Sequence, residues 1–154
     1  MDERSLKLER WLAASPERLF AAWTDPARLV RWFGPEGSRV VDCMLDPRPG
    51  GRWRCVLVAP DASRWTVGGI YREVTPPRRL SFTWTWYDAE DRPGHETEVI
   101  LTLDAEGEGT RLVLHHAGFA SAEARERHVA GWTGSLARLE RAISAAVGGT
   151  VEVG

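Results

Sequence analysis

A stripe of apolar residues near the C-terminus is the feature that most constrains how this chain can fold. Between Ser121 and Val147 such residues recur every three or four positions, which places them on one face of an α-helix: they are Val129, Trp132, Leu136, Leu139, Ile143 and Val147. Ser121 can cap the first turn, and Gly148-Gly149 can end the helix. A helix of this length spans about 40 Å, so its stripe needs an equally long apolar partner.

Most of the remaining chain consists of short runs in which apolar and polar residues alternate, the pattern of a strand with one buried face. These runs cover residues 6–13, 39–46, 52–59, 64–74, 80–87, 96–103 and 110–116. After the first run, Ser15-Pro16 and Asp25-Pro26 each place a capping side chain before a proline, which predicts two short helices ending at Gly34-Pro35. This order predicts an α+β fold: a curved, seven-stranded antiparallel sheet wrapped around the long C-terminal helix.

Composition and charge exclude several classes of protein. The 154 residues suffice for one domain, and we expect it to cover residues 1–147, with 148–154 as a C-terminal tail. A net charge of -2 argues against a general nucleic-acid-binding protein. No run approaches the roughly 18 apolar residues of a membrane span, and the polar N-terminus does not resemble a signal peptide. We therefore expect a cytoplasmic protein, either a monomer or a homodimer, with no nucleic-acid or membrane partner.

The two cysteines are too few for a disulfide framework, but they are expected to be neighbours. If residues 43–55 form a hairpin centred near Pro49, Cys43 lies directly across from Cys55. We predict two reduced thiols in close contact on the interior face, since the cytoplasm keeps thiols reduced.

Two glycines interrupt the long helix and leave two interpretations open. Gly131 and Gly134 each cost about 1 kcal/mol relative to alanine in a helix interior. Both lie on one flank of the stripe, next to Trp132. They either thin the helix where a ligand or a strand comes close, or where the helix bends, or they serve close packing against the sheet.

Several segments together resemble the SRPBCC (START-like, birch-pollen-allergen-like) superfamily, and within it the branch named for the activator of heat-shock-protein-90 ATPase homologue. They are residues 16–26, with Pro16-Glu17-Arg18-Leu19-Phe20 and Trp23-Thr24-Asp25-Pro26; Trp32-Phe33-Gly34-Pro35; residues 46–53, ending in Pro49-Gly50-Gly51-Arg52-Trp53; residues 69–80; and the Gly131-Trp132 step. The resemblance covers residues 4–147. It implies the helix-grip fold, with a cavity between sheet and helix that often takes a hydrophobic ligand.

Because the resemblance implies a cavity, the positions of the eight tryptophans become relevant to function. Strand alternation directs Trp53, Trp84, Trp86 and Trp65 toward Trp132 of the helix. Such a cluster either lines a ligand cavity or fills the core, and both outcomes remain open. Three aromatic residues of the helix pair, Trp23, Trp32 and Phe33, are expected to plug one end of the cavity.

Among the titratable residues, only His116 is predicted to lie on the inner face of the sheet. It either orients a ligand, acts as an acid or base, or forms structural hydrogen bonds. His115 should face water, and His95 and His128 are expected at the surface. No metal-ligand spacing, nucleophile motif or phosphate loop occurs, so we assign no catalytic residue and expect no metal or cofactor.

Three functions are compatible with these observations. The first is binding of a small hydrophobic or aromatic ligand between sheet and helix. The second is an enzyme of the polyketide cyclase or aromatase type, assisted by His116 or Tyr71, and the third is a module that regulates a chaperone ATPase. For the first, the candidate ligand-binding residues share the inner face of the sheet or the helix stripe: Trp53, Cys55, Trp65, Tyr71, Phe82, Trp84, Trp86, Val99, Leu101, Leu114, His116, Trp132 and Leu136.

Overall fold

The computed structural model describes the backbone of residues 3–153 and the side chains of residues 3–144. In chain order the elements are β1 (Ser5–Leu12), α1 (Pro16–Thr24), α2 (Pro26–Leu29), β2 (Arg39–Leu45), β3 (Arg52–Val58), β4 (Arg64–Thr75), β5 (Arg79–Tyr87), β6 (Thr97–Glu106), β7 (Gly109–Ala117) and α3 (Ala122–Val153). The seven strands form one sheet in the order β1-β7-β6-β5-β4-β3-β2, and every neighbouring pair is antiparallel. The α+β helix-grip prediction is confirmed.

Two capped helices connect β1 to β2. The Ser15 hydroxyl accepts a hydrogen bond from the Arg18 amide at 3.2 Å, and the Asp25 carboxylate accepts one from the Ala27 amide at 3.0 Å. Helix α2 is shorter than expected, because it ends at Leu29 and not at Gly34-Pro35. The neighbours Trp32 and Phe33 are both buried, and an early end of the helix lets the chain turn both aromatic rings inward.

Helix α3 lies against the concave face of the sheet. The Ser121 hydroxyl accepts a hydrogen bond from the Ala124 amide at 3.1 Å, as expected for the cap. Within the described side chains the predicted stripe packs inward: Trp132, Leu136, Leu139 and Ile143 are buried, and Val129 is partly buried. The side chain of Val147 lies outside the described residues.

The prediction that Gly148-Gly149 ends this helix is wrong, because α3 continues to Val153. Glycine costs about 1 kcal/mol in a helix but, unlike proline, it keeps the backbone hydrogen bond, so a doublet need not end the helix. Its 32 residues give α3 a length of about 48 Å. The expected domain boundary at residue 147 stays a prediction.

The strand register places the two cysteines as the sequence predicts. Cys43 on β2 pairs directly with Cys55 on β3, and their Sγ atoms are 3.6 Å apart. Both are free thiols; Cys55 is buried, whereas Cys43 is only half-buried because β2 forms an edge of the sheet. Within the described part of the chain, no helix is long and apolar enough to cross a membrane.

Candidate functional site

A cavity of about 480 Å³ opens between α3, the loop that follows α2, and the adjoining ends of β3, β4 and β5. We call it the tryptophan cavity, because four indoles contribute to its wall: Trp65, Trp84, Trp86 and Trp132. The other residues that line it are Phe33, Gly34, Pro35, Glu36, Ser38, Leu57, Ala59, Pro60, Arg127, His128, Gly131 and Ser135. The wall is therefore largely apolar, with its few charged side chains at the rim.

The indoles of this wall form a continuous aromatic cluster around Trp84. The ring centroid of Trp84 lies 5.1 Å from that of Trp132 on α3 and 5.6 Å from that of Trp86 on the same strand. Trp65 extends the cluster outward by an edge contact with Trp86 at 6.0 Å, and 54% of its surface is exposed. The cluster thus extends from the buried core to the exposed ring of Trp65 at the mouth of the cavity.

Gly131 and Gly134 have different surroundings on α3, and the close contact at Gly134 is with the loop that follows α2, not with the sheet. A methyl group added at Gly134 would come within 3.2 Å of the Glu36 amide nitrogen, so this glycine allows the loop to pack closely on the helix. A methyl group at Gly131 would meet only Pro35, at 3.9 Å, and Gly131 lines the cavity. Gly131 therefore leaves space on the helix surface where a ligand could lie.

The loop wall is anchored to α3 by one buried and one partly buried polar side chain. The Ser135 hydroxyl accepts a hydrogen bond from the Gly34 amide at 2.8 Å. The Arg138 guanidinium donates to the carbonyl oxygens of Gly34 and Pro35, at 3.0 and 2.9 Å. Burial lowers the pKa of Arg138, and these carbonyl acceptors compensate part of its lost hydration. The cavity therefore has a fixed wall on its loop side.

His128 lies in this wall, so the prediction that it is a surface residue is wrong. It is half-buried, its Nδ1 bonds to the Ala124 carbonyl at 2.7 Å, and its Nε2 accepts a hydrogen bond from the Trp86 indole at 2.9 Å. This arrangement requires the neutral ring with its proton on Nδ1. Burial is the main cause that lowers its pKa, and the nearby Arg127 adds to the effect.

His116 is fully buried, as predicted, but it does not line the tryptophan cavity. Its Nδ1 accepts a hydrogen bond from the Trp132 indole at 3.0 Å, and its Nε2 lies 2.6 Å from the Thr97 hydroxyl, which donates in turn to the Trp84 carbonyl at 3.1 Å. Burial, with the neighbouring His128 and His115, lowers the pKa of His116 to about 2. Both ring nitrogens are occupied, so His116 ties the helix to the sheet.

The candidate ligand-binding residues fall into three groups in the structure. Trp65, Trp84, Trp86 and Trp132 line the tryptophan cavity. Trp53, Tyr71 and Phe82 line a separate void of about 20 Å³ in the core. Cys55, Val99, Leu101, Leu114, His116 and Leu136 are packed in the core and line neither space.

Phe33 lines both spaces and separates them. The prediction that the helix pair plugs one end of a cavity therefore describes Phe33 well, whereas Trp23 and Trp32 lie deeper and pack on each other, with ring centroids 4.6 Å apart. Strand alternation did not identify the loop residues or Arg127 and His128. The one available signal was helical spacing, since His128 precedes Trp132 by four residues and so shares its face.

Within residues 3–144, no group of three or more His, Cys, Asp or Glu side chains is placed to hold a metal ion. Two indole nitrogens, those of Trp84 and Trp23, are buried without a hydrogen-bond acceptor among the described residues.

A sheet that grips a long helix and leaves an apolar cavity beside it defines a START-like protein of the helix-grip class. A family model described as activator of Hsp90 ATPase homolog 1-like protein matches residues 13–144, and the chain belongs to that family. No curated protein matches the chain.

Solved structures agree with this family. The AHSA1 protein from Silicibacter pomeroyi is 39% identical with a TM-score of 0.86, over 92% of this chain and 99% of that one. A protein from Chromobacterium violaceum is 29% identical with a TM-score of 0.82, over 91% of this chain and 96% of that one. A protein from Arthrobacter aurescens, at 20% identity and a TM-score of 0.83, shares the fold over 94% of this chain and 90% of that one.

Proposed function

We propose that the protein binds a small hydrophobic molecule that contains an aromatic or planar ring, in the tryptophan cavity. The observation that carries the proposal is an open space of about 480 Å³ bordered by four indoles. Protein interiors contain few voids larger than a water molecule, whereas ligand sites typically span about 300–1,000 Å³. An aromatic wall of this size is therefore better explained by a ligand than by imperfect packing.

The chemistry of the wall supports a ring-shaped ligand. The indole N–H groups of Trp86 and Trp132 are already bonded to His128 and His116, and that of Trp65 is bonded to the Ser63 hydroxyl at 2.9 Å. These indoles therefore offer mainly their apolar rings to a ligand. Offset or edge contacts between aromatic rings contribute about 0.5–1.5 kcal/mol each beyond their buried area.

A substitution at Gly131 tests the proposal with little risk to the fold. Gly131→Leu places a side chain in the cavity, and leucine is favoured over glycine in a helix by nearly 1 kcal/mol, so the variant should be at least as stable as the wild type. We expect N-phenyl-1-naphthylamine, an uncharged fluorescent probe, to bind the wild type and to lose at least about tenfold in affinity in this variant.

The matched control is Gly131→Ala, which adds a methyl group that meets Pro35 at an ordinary contact distance of 3.9 Å. It should retain probe binding, and native mass spectrometry of freshly purified protein should detect any co-purified ligand in the wild type and alanine variant alone. If the leucine variant binds the probe as tightly as the wild type, the ligand does not occupy this cavity.

The other two functions are not favoured by a specific feature of the site. The enzyme alternative depended on His116 or Tyr71, and neither side chain lines the tryptophan cavity. Regulation of a chaperone ATPase, the cytoplasmic location and the choice between monomer and homodimer stay predictions.

A further inference from the structure

One cationic side chain at the rim of the tryptophan cavity has no protein partner among the described residues. Arg127 is exposed, lines the cavity and takes part in no hydrogen bond or ion pair within residues 3–144. The acidic residue of the rim, Glu36, is different, because both of its carboxylate oxygens bind the Arg141 guanidinium at 2.8 Å. The rim therefore presents one positive charge that the protein does not neutralise.

The position of Arg127 relates this charge to the open helix surface at Gly131. The two residues are four positions apart on α3, so they lie on the same helix face, separated by about 6 Å along the axis. The indole of Trp86, held by His128, lines the same cavity as these two residues. A planar ring placed over Gly131 would thus direct a substituent on its outer edge toward Arg127.

We infer that the ligand is an aromatic acid, with its ring among the indoles and an anionic group, such as a carboxylate or a sulfonate, paired with Arg127. The inference rests on the proposed function and adds the chemical class of the ligand. Guanidinium groups can bind two oxygens of a carboxylate or another oxyanion through two parallel hydrogen bonds, which also fix the orientation of the bound molecule. A cationic ligand would be repelled at this rim.

Among the described residues, the unpaired charge of Arg127 is the strongest orienting contact that remains at the mouth of the cavity. The polar groups nearby are engaged: the Ser38 hydroxyl donates to the Pro35 carbonyl at 2.6 Å, and the Arg138 guanidinium is held by the loop carbonyls. The free indole nitrogen of Trp84 is buried and does not reach the cavity surface. An anion is therefore the substituent that this rim can recognise.

Two fluorescent probes that differ by one sulfonate group test the inference. 8-Anilinonaphthalene-1-sulfonate carries a sulfonate on the same ring system as the uncharged N-phenyl-1-naphthylamine. In Arg127→Gln we expect the affinity for the sulfonate probe to fall about three- to tenfold, the range for a partly exposed, charge-assisted pair, and the affinity for the neutral probe to stay within about twofold. Salt should weaken the binding of the sulfonate probe to the wild type alone.

The matched control is Arg72→Gln, which removes the same charge from an exposed position on the outer face of β4. It should leave both probes unaffected. Equal weakening of both probes by Arg127→Gln, or no change in either, overturns the assignment of an anionic ligand and leaves the hydrophobic cavity intact as a proposal. If neither probe binds the wild type, the proposed function itself fails, and the inference fails with it.

Discussion

The buried His116 should make the stability of the protein fall steeply in mild acid. In the folded protein its pKa is lowered to about 2, mainly by burial, whereas an unfolded histidine titrates near pH 6.5. Below pH 6.5 the unfolded chain therefore binds a proton that the folded chain does not. The contribution of the neutral His116 to the free energy of unfolding is therefore complete above pH 6.5. It is lost progressively as the pH falls, because protonation then favours the unfolded state.

The size of this effect follows from the two pKa values. Between pH 7.5 and pH 5.0, one histidine that titrates at about 6.5 only in the unfolded state lowers the free energy of unfolding by about 2 kcal/mol. His128 acts in the same direction, since burial lowers its pKa as well. In each of these two histidines, one ring nitrogen accepts a hydrogen bond from an indole N–H. Protonation of that nitrogen would place its N–H against the indole N–H, so two donors would face each other.

Urea unfolding followed by tryptophan fluorescence at both pH values measures this drop. In His116→Gln the amide can still donate toward Thr97, but the Trp132 indole loses its acceptor, so we expect a loss of about 1–3 kcal/mol at pH 7.5. The drop between pH 7.5 and 5.0 should shrink by about 2 kcal/mol relative to the wild type. The control variant, His95→Gln, changes an exposed histidine and should keep the full drop.

Contributions from the other titratable groups are common to all three proteins, so the difference between the variants isolates His116. A wild type with the same free energy of unfolding at both pH values would refute the argument. An undiminished drop in His116→Gln would refute it equally, because the proton would then bind elsewhere.

Three further predictions concern the thiols and the loop wall. Hydrogen peroxide at low concentration should join Cys43 and Cys55 in an intramolecular disulfide, with loss of two hydrogen atoms by mass spectrometry, and Cys43→Ser should prevent it, because the Sγ atoms are 3.6 Å apart. Ser135→Ala should lower the free energy of unfolding by about 1–3 kcal/mol, since the buried amide of Gly34 loses its acceptor. In Arg138→Met, the free energy of binding of the neutral probe should weaken by more than the free energy of unfolding falls, because the substitution releases the loop that forms the cavity wall. Equal probe affinity in the variant and the wild type would contradict this.

The sequence was sufficient to predict the fold because its signals are local and repeated. The helix stripe around Trp132 and Leu136, and the caps at Ser15 and Asp25, each depend on residues within a few positions of one another. Two helix ends were exceptions. Helix α2 ends at Leu29, before Gly34-Pro35. At the end of α3, the effect of a glycine doublet on a helix is small enough for other interactions to override.

The location of the cavity was harder to predict, because it depends on contacts between distant segments. Strand alternation shows which face a residue occupies but not where the packing leaves space, so Leu101 and Trp84 looked equivalent in sequence. The wall formed by Gly34 exists because its backbone, at a φ of 107°, turns the loop toward Ser135, about 100 positions away. His128 was misplaced because a hydrophobic pattern gives no weight to a histidine that pairs with an indole.

Phe33 has a consequence for the size of molecule that this protein can accommodate. Its ring makes edge contacts with four other aromatic rings, those of Trp32, Trp53, Trp84 and Trp132, at centroid distances of 5.8 to 6.3 Å. At about 0.5–1.5 kcal/mol each, these contacts make displacement of the ring costly compared with an ordinary rotamer change. Phe33 therefore sets a firm depth limit, and a guest longer than the available space must project outward past Trp65 into the surrounding water.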